Sequence, residues 1–103
     1  MKFNVSSLGS TVLVALDGDL NSLESPRFES SIMDVLSRNR GEVAFDLKGL
    51  RYLNSSGIRA FVRIKRHLDQ NDRHMILYGA TDSVQGVFEM TRLDMLFDIR
   101  ETL

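Results

Sequence analysis

Asp46-Leu47-Lys48-Gly49-Leu50-Arg51-Tyr52-Leu53-Asn54-Ser55-Ser56-Gly57-Ile58 is the stretch on which the fold turns. Just before it, Val43-Ala44-Phe45-Asp46-Leu47 has the length and apolar character of a buried strand. Lys48 to Leu53 reads as a short loop. A helix is expected from about Ser56 to Gln70, because Ile58, Phe61, Val62 and Leu68 fall on one helical face. Two hydroxyls and an amide side chain therefore arrive where a strand hands over to a helix. In α/β sheets, ligands and partners commonly bind at this end of the strands.

Working outward, Phe3 and Val5 alternate with polar neighbours, and Leu8-Gly9-Ser10 reads as a turn. Thr11 to Leu16 is a β-branched, apolar run that Asp17-Gly18-Asp19 should end. This predicts an N-terminal hairpin. Ser25 is the expected N-cap of a first helix, with Pro26 at its first position. Phe28, Ile32, Val35 and Leu36 form its apolar stripe, and Gly41 lies beyond its end. Met75-Ile76-Leu77-Tyr78 is a third apolar strand stopped by Gly79. Thr81 or Asp82 should cap a short helix carrying Val84, Val87 and Phe88, and Leu93, Leu96, Phe97 and Ile99 close the chain as a turn plus a last strand or helix. The order β-β-α-β-α-β-α-β predicts an α/β fold: a mixed sheet with an N-terminal hairpin and about three to four packed helices, on one face or both.

Composition narrows the function. The 103 residues are expected to form a single domain spanning 1–103, with one modest core. Thirteen Lys and Arg against fourteen Asp and Glu leave a net charge of −1, so no electrostatic footprint for nucleic acid or an anionic membrane is expected. The absence of cysteine removes a disulfide framework, a thiolate nucleophile and a Cys-ligated zinc. With only His67 and His74, no His-rich metal site is expected. No apolar run approaches the ~18 residues of a membrane span, and Met1 to Ser7 lacks a signal-peptide core. The expected setting is the cytoplasm, with no resident cofactor. The basic residues Arg59, Arg63, Lys65, Arg66 and Arg73 read as a solvated face. The methionines sit mostly at core-like spacings, with Met90 and Met95 also candidates for an adaptable contact surface.

Spacing alone leaves two readings of Asn54, Ser55 and Ser56. They are the residue types preferred as helix caps anywhere. They are also hydroxyls at a helix N-terminus, where unpaired N–H groups and a partial positive charge tolerate an added phosphoryl group. The same dianion would have to be desolvated at any interface packed there. The pair thus suits an on/off binding switch that needs no refolding. A serine-nucleophile enzyme fits less well. Leu53-Asn54-Ser55-Ser56-Gly57 is not G-x-S-x-G, and His67 lies roughly 16 Å along the helix from Ser56. A nucleotide-binding or small-anion-sensing module lacks both G-x-x-x-x-G-K-[ST] and G-x-G-x-x-G.

From about residue 3 to residue 100 the chain resembles the STAS-domain family, shared by bacterial anti-sigma factor antagonists and sulfate transporters. Asp46-Leu47, Leu50, Leu53 and Asn54-Ser55-Ser56-Gly57 look like the family's strand ending in Asp-Leu, its spaced apolar pair, and its Asp-Ser-Ser/Thr-Gly helix start. Leu16-Asp17-Gly18-Asp19-Leu20-Asn21 is similar to its Gly-acidic-Leu-Asp turn. For a chain of this size the resemblance implies a stand-alone anti-sigma factor antagonist acting by partner switching. Such a protein, unphosphorylated, binds a serine kinase/anti-sigma factor with a GHKL-type ATP fold. Phosphorylation of one serine blocks binding, and a metal-dependent serine phosphatase reverses it. Carried onto this sequence, that serine is Ser55, with Ser56 second; Asn21, Ser22, Asn54 and Gly57 are expected to flank the interface. Asn54 and Asn21 stand where the family usually has Asp. Asn keeps the capping geometry, lowers like-charge repulsion beside a phosphate, and removes an anion that a kinase would read.

Overall fold

Phe3 and Val5 lie opposite Leu16 and Val14 across the N-terminal hairpin, in an unbroken register from Lys2–Asp17 to Leu8–Thr11. The computed structural model describes residues 1–103. β1 (Lys2–Leu8) and β2 (Thr11–Leu20) are followed by α1 (Ser25–Arg38), β3 (Val43–Leu53), α2 (Ser55–Gln70), β4 (Met75–Tyr78), α3 (Asp82–Met90), a 3-10 turn (Leu93–Met95) and β5 (Asp98–Arg100). The predicted order of elements is the observed one, with three α-helices and the 3-10 turn.

The sheet runs in the order β1-β2-β3-β4-β5, with β1 antiparallel to β2 and every later pair parallel. Its three crossovers all step in the same direction. Because such crossovers are right-handed, all three helices fall on one face. There Val12, Val14, Leu16 and Leu20 of β2 meet Phe28 and Ile32 of α1, Phe61 and Ile64 of α2, and Phe88 of α3 in one buried cluster. Phe61 is its hub, with ring centroids 5.5 Å from Phe28, 5.6 Å from Phe45 and 6.4 Å from Phe88. Truncating such a ring typically costs about 3–5 kcal/mol.

Three local expectations are corrected. Asp17-Gly18-Asp19 does not end β2. Gly18 takes φ +121° and the strand bulges through, continuing to Leu20. Lys48 to Leu53 is not a loop but the second half of β3, held by the pairs Asp17–Gly49, Gly18–Leu50 and Leu20–Leu53. Ser25 does not cap α1. It is 3% exposed inside the first turn, where its hydroxyl donates to the Asn21 carbonyl at 2.7 Å. The cap lies one turn earlier, where Asn21 Oδ1 accepts from the N–H of Leu23 (3.1 Å) and Glu24 (2.9 Å).

Of the methionines, Met75 is buried and Met1 and Met33 pack against the core, whereas Met90 and Met95 are 84% and 87% exposed. No helix is long and apolar enough to cross a membrane.

Candidate functional site

The register of β2 on β3 builds the site. Leu20 and Leu53 are partners at the carboxyl ends of adjacent parallel strands. The segments that leave those ends, Asn21–Glu24 and Asn54–Ser56, must therefore lie side by side.

Asn54 is the N-cap of α2, with Oδ1 accepting from Ser56 N–H at 3.0 Å and Gly57 N–H at 3.3 Å. Its Nδ2 donates to Ser22 Oγ at 3.3 Å, and Ser22 Oγ lies 3.1 Å from Ser56 Oγ. Arg59 Nη2 completes the chain with a 3.3 Å bond to Ser56 Oγ. Asn54, Ser22, Ser56 and Arg59 thus form a polar seam tying the β2–α1 loop to the start of α2. Ser55 stands outside it. Its side chain is exposed and makes no hydrogen bond.

The two adjacent hydroxyls are therefore chemically different: Ser56 is half-buried and engaged, while Ser55 is free. The helix end also differs from the simplest expectation. Asn54 already occupies two first-turn N–H groups, and the Ile58 N–H goes to the Asn54 carbonyl at 3.0 Å. An anion on Ser55 would feel the helix dipole but would not sit in a ring of vacant donors.

Gly57 does not present itself to a partner, because it is buried. A Cβ there would come within 2.6 Å of Leu53 Cδ1 and 3.0 Å of Leu20. Glycine lets α2 seat against the two strand ends, so its role is packing. Asn21 caps the turn that enters α1. Behind Ser22 and Ser56, an open cleft of about 370 Å³ runs between α1 and α2, lined also by Glu29, Ser30 and Arg63.

The basic residues on and after α2 are not one solvated face. Arg63 pairs with Glu29 at 2.7 Å and Lys65 with Asp69 at 2.7 Å. Arg73 donates to the Gly41 and Leu36 carbonyls at the end of α1, and desolvation lowers the pKa of its partly buried guanidinium. Arg59 touches the serine seam, a role its helical spacing did not suggest. Leu23, 71% exposed beside Ser22, was not singled out either. Its only sequence signal is an apolar residue inside a polar loop.

Neither histidine serves this end of the sheet. His67 is on α2, roughly 18 Å along the helix from Ser55. His74 precedes β4, whose first residue, Met75, pairs with the first residue of β3, so it lies at the opposite end of the strands. Its Nε2 is 2.7 Å from Asp98 Oδ2. Bonds from Arg100 and then His74 hold the Asp98 carboxyl down to about 2.

The fold and the paired loop ends are those of a small α/β domain whose β2–α1 and β3–α2 loops meet at the carboxyl ends of two parallel strands. Residues 2–103 match the STAS domain model, and the chain belongs to that family. It is 26% identical over 88 residues to the anti-sigma-B factor antagonist of Staphylococcus aureus, covering 85% of this chain and 82% of the relative. An anti-sigma factor antagonist from Mycobacterium paratuberculosis superposes with a TM-score of 0.88 at 19% identity, over 99% of this chain and 86% of that one. The Bacillus cell fate determinant SpoIIAA in its phosphorylated form superposes with a TM-score of 0.70 at 18% identity, over 95% and 90%. At these identities the structural likenesses speak for the fold.

Proposed function

We propose that this chain is a partner-switching regulator of the anti-sigma factor antagonist kind, acting in the cytoplasm by binding rather than by catalysis. Unphosphorylated, it docks the carboxyl end of β2 and β3 onto a serine kinase/anti-sigma factor-type protein. Phosphorylation of Ser55 blocks docking, and a metal-dependent serine phosphatase restores it. The observation that carries this reading is the contrast between the two hydroxyls: Ser55 is exposed and unbonded, while Ser56 is held by Ser22 and Arg59. A kinase reaches the first without dismantling anything. The relatives named as antagonists, and a structural neighbour described in a phosphorylated form, support the partner-switching role.

The mechanism is electrostatic. Exposed Leu23 and the serine seam give the two adjoining loops a mixed apolar and polar surface. A phosphoryl group on Ser55 adds a charge of about −1.5 to −2. Covering that charge with a partner costs desolvation that a neutral hydroxyl does not. The fold tolerates it because Ser55 lies at the positive end of the α2 dipole. The distance of both histidines from Ser55 disfavours a nucleophilic serine, which needs a positioned base.

The test is phosphosite mapping by mass spectrometry after incubation with ATP and the serine kinase that the protein captures. Phosphate on Ser55 supports the assignment; phosphate only outside residues 54–57 overturns it.

A further inference from the structure

Arg59 carries a charge that no carboxylate answers. On the same side of α2 Arg63 is committed to Glu29, and elsewhere on the helix Lys65 is committed to Asp69, each at 2.7 Å. Arg59 has no acidic group within 4.0 Å and rests against a neutral hydroxyl, Ser56 Oγ, at 3.3 Å. It is also four residues after Ser55 on one helix. That spacing puts the two Cβ atoms about 5–6 Å apart, well within the sweep of a guanidinium.

We infer that Arg59 is a positioning residue for the switch: when Ser55 is phosphorylated, its guanidinium leaves Ser56 and pairs with the phosphoryl oxygens. The inference rests on the proposed phosphorylation of Ser55. A long bond to a neutral hydroxyl is weak competition, since hydrogen bonds to an ionised acceptor are roughly twice as strong and a guanidinium meets phosphate with two parallel donors. Of the donors usual at a helix start, Asn54 already occupies those of Ser56 and Gly57, so the backbone offers an anion here fewer partners than an uncapped helix would. Arg59, unpaired and one helical turn from Ser55, is free to answer the new charge.

The pairing has two effects. The phosphoryl group is drawn along α2 instead of projecting from it. Its second ionisation, ordinarily near pH 6, is also favoured, so the dianion persists to lower pH and the switch stays fully charged in mildly acidic conditions.

The experiment uses the full chain with phosphoserine placed at position 55 during translation, so no kinase is required. The second phosphoryl pKa is read from the ³¹P shift against pH, with Arg59→Gln and Arg63→Gln in the same background. The expected result is a pKa lower by about half a unit with Arg59 present than in Arg59→Gln, a gap that narrows in high salt, and no change in Arg63→Gln. Arg59 is exposed, and Arg59→Lys, which keeps the charge and loses the fork, should give an intermediate value. Equal pKa values in the parent and Arg59→Gln overturn the inference while leaving the Ser55 switch standing. Conversely, a Ser55 phosphoprotein that still binds the kinase-type partner as tightly as the unmodified chain overturns the switch and leaves the pairing intact.

Discussion

Gly57→Ala sets two effects of known sign against each other. In a helix, replacing glycine by alanine ordinarily stabilises by about 0.8–1 kcal/mol. Here the new methyl would stand 2.6 Å from Leu53 Cδ1 and 3.0 Å from both Cδ2 and Cγ of Leu20. Leu53 is only 4% exposed and Leu20 fully buried, so neither has free volume to move into. Overpacking a filled site costs about 1–3 kcal/mol. The steric loss outweighs the propensity gain, for a net destabilisation of about 1 kcal/mol. For a domain of this length that is a fall of roughly 4–8 °C in Tm. Chemical denaturation of the two proteins, at equal m-value, measures it. A variant more stable than the parent by the full propensity gain would show that α2 is not seated on the strand ends as described.

Asn54→Ala removes an acceptor for two N–H groups and a donor to Ser22, and should cost about 1–2 kcal/mol in urea titrations. Asn54→Asp keeps the cap and should recover most of that loss, with the Ser22 hydroxyl now donating to the carboxylate. Asp98, held at about 2 by Arg100 and His74, contributes stability that is present above pH ~4, the ordinary carboxyl value, and is lost as pH falls toward 2. Asp98→Asn should therefore flatten the Tm–pH curve between pH ~4 and ~2 relative to the parent, leaving little difference between the two at the lower end.

The fold was legible where periodicity is strong. Met75–Tyr78 and α2 were read at or within a residue of their bounds, and the apolar stripe of α1 is buried as expected although the helix stops at Arg38, short of Gly41, because apolar side chains at strand or helix spacing can be buried together in only one kind of element. The second halves of β2 and β3 were not. Asp17-Gly18-Asp19 and Lys48-Gly49 carry the local marks of turns, and only their mutual pairing keeps them extended, a long-range fact. The capping of α1 was displaced for a related reason. Ser25-Pro26 has the ideal local chemistry, but the chain enters through an Asn21 turn that buries Ser25.

At the site, Asn54, Ser55 and Ser56 were visible as residues at a helix start. What separates the two serines was not. The partner that engages Ser56 is Ser22, thirty-four positions away, brought there by the Leu20–Leu53 register. Arg59 was hidden by its neighbours, since nothing in a run of basic residues distinguishes Arg63 and Lys65, already paired with carboxylates, from Arg59, which is not.

The switch itself is tested most directly by calorimetric titration of the captured serine kinase partner with three full-length proteins: unmodified, Ser55→Ala, and phosphorylated at Ser55. Unmodified protein and Ser55→Ala should bind alike, and the phosphorylated form should bind at least about 100-fold more weakly, the effect of roughly 3 kcal/mol for desolvating, at the interface, a charge that the partner does not pair. Equal affinity for the phosphorylated and unmodified forms would contradict the account.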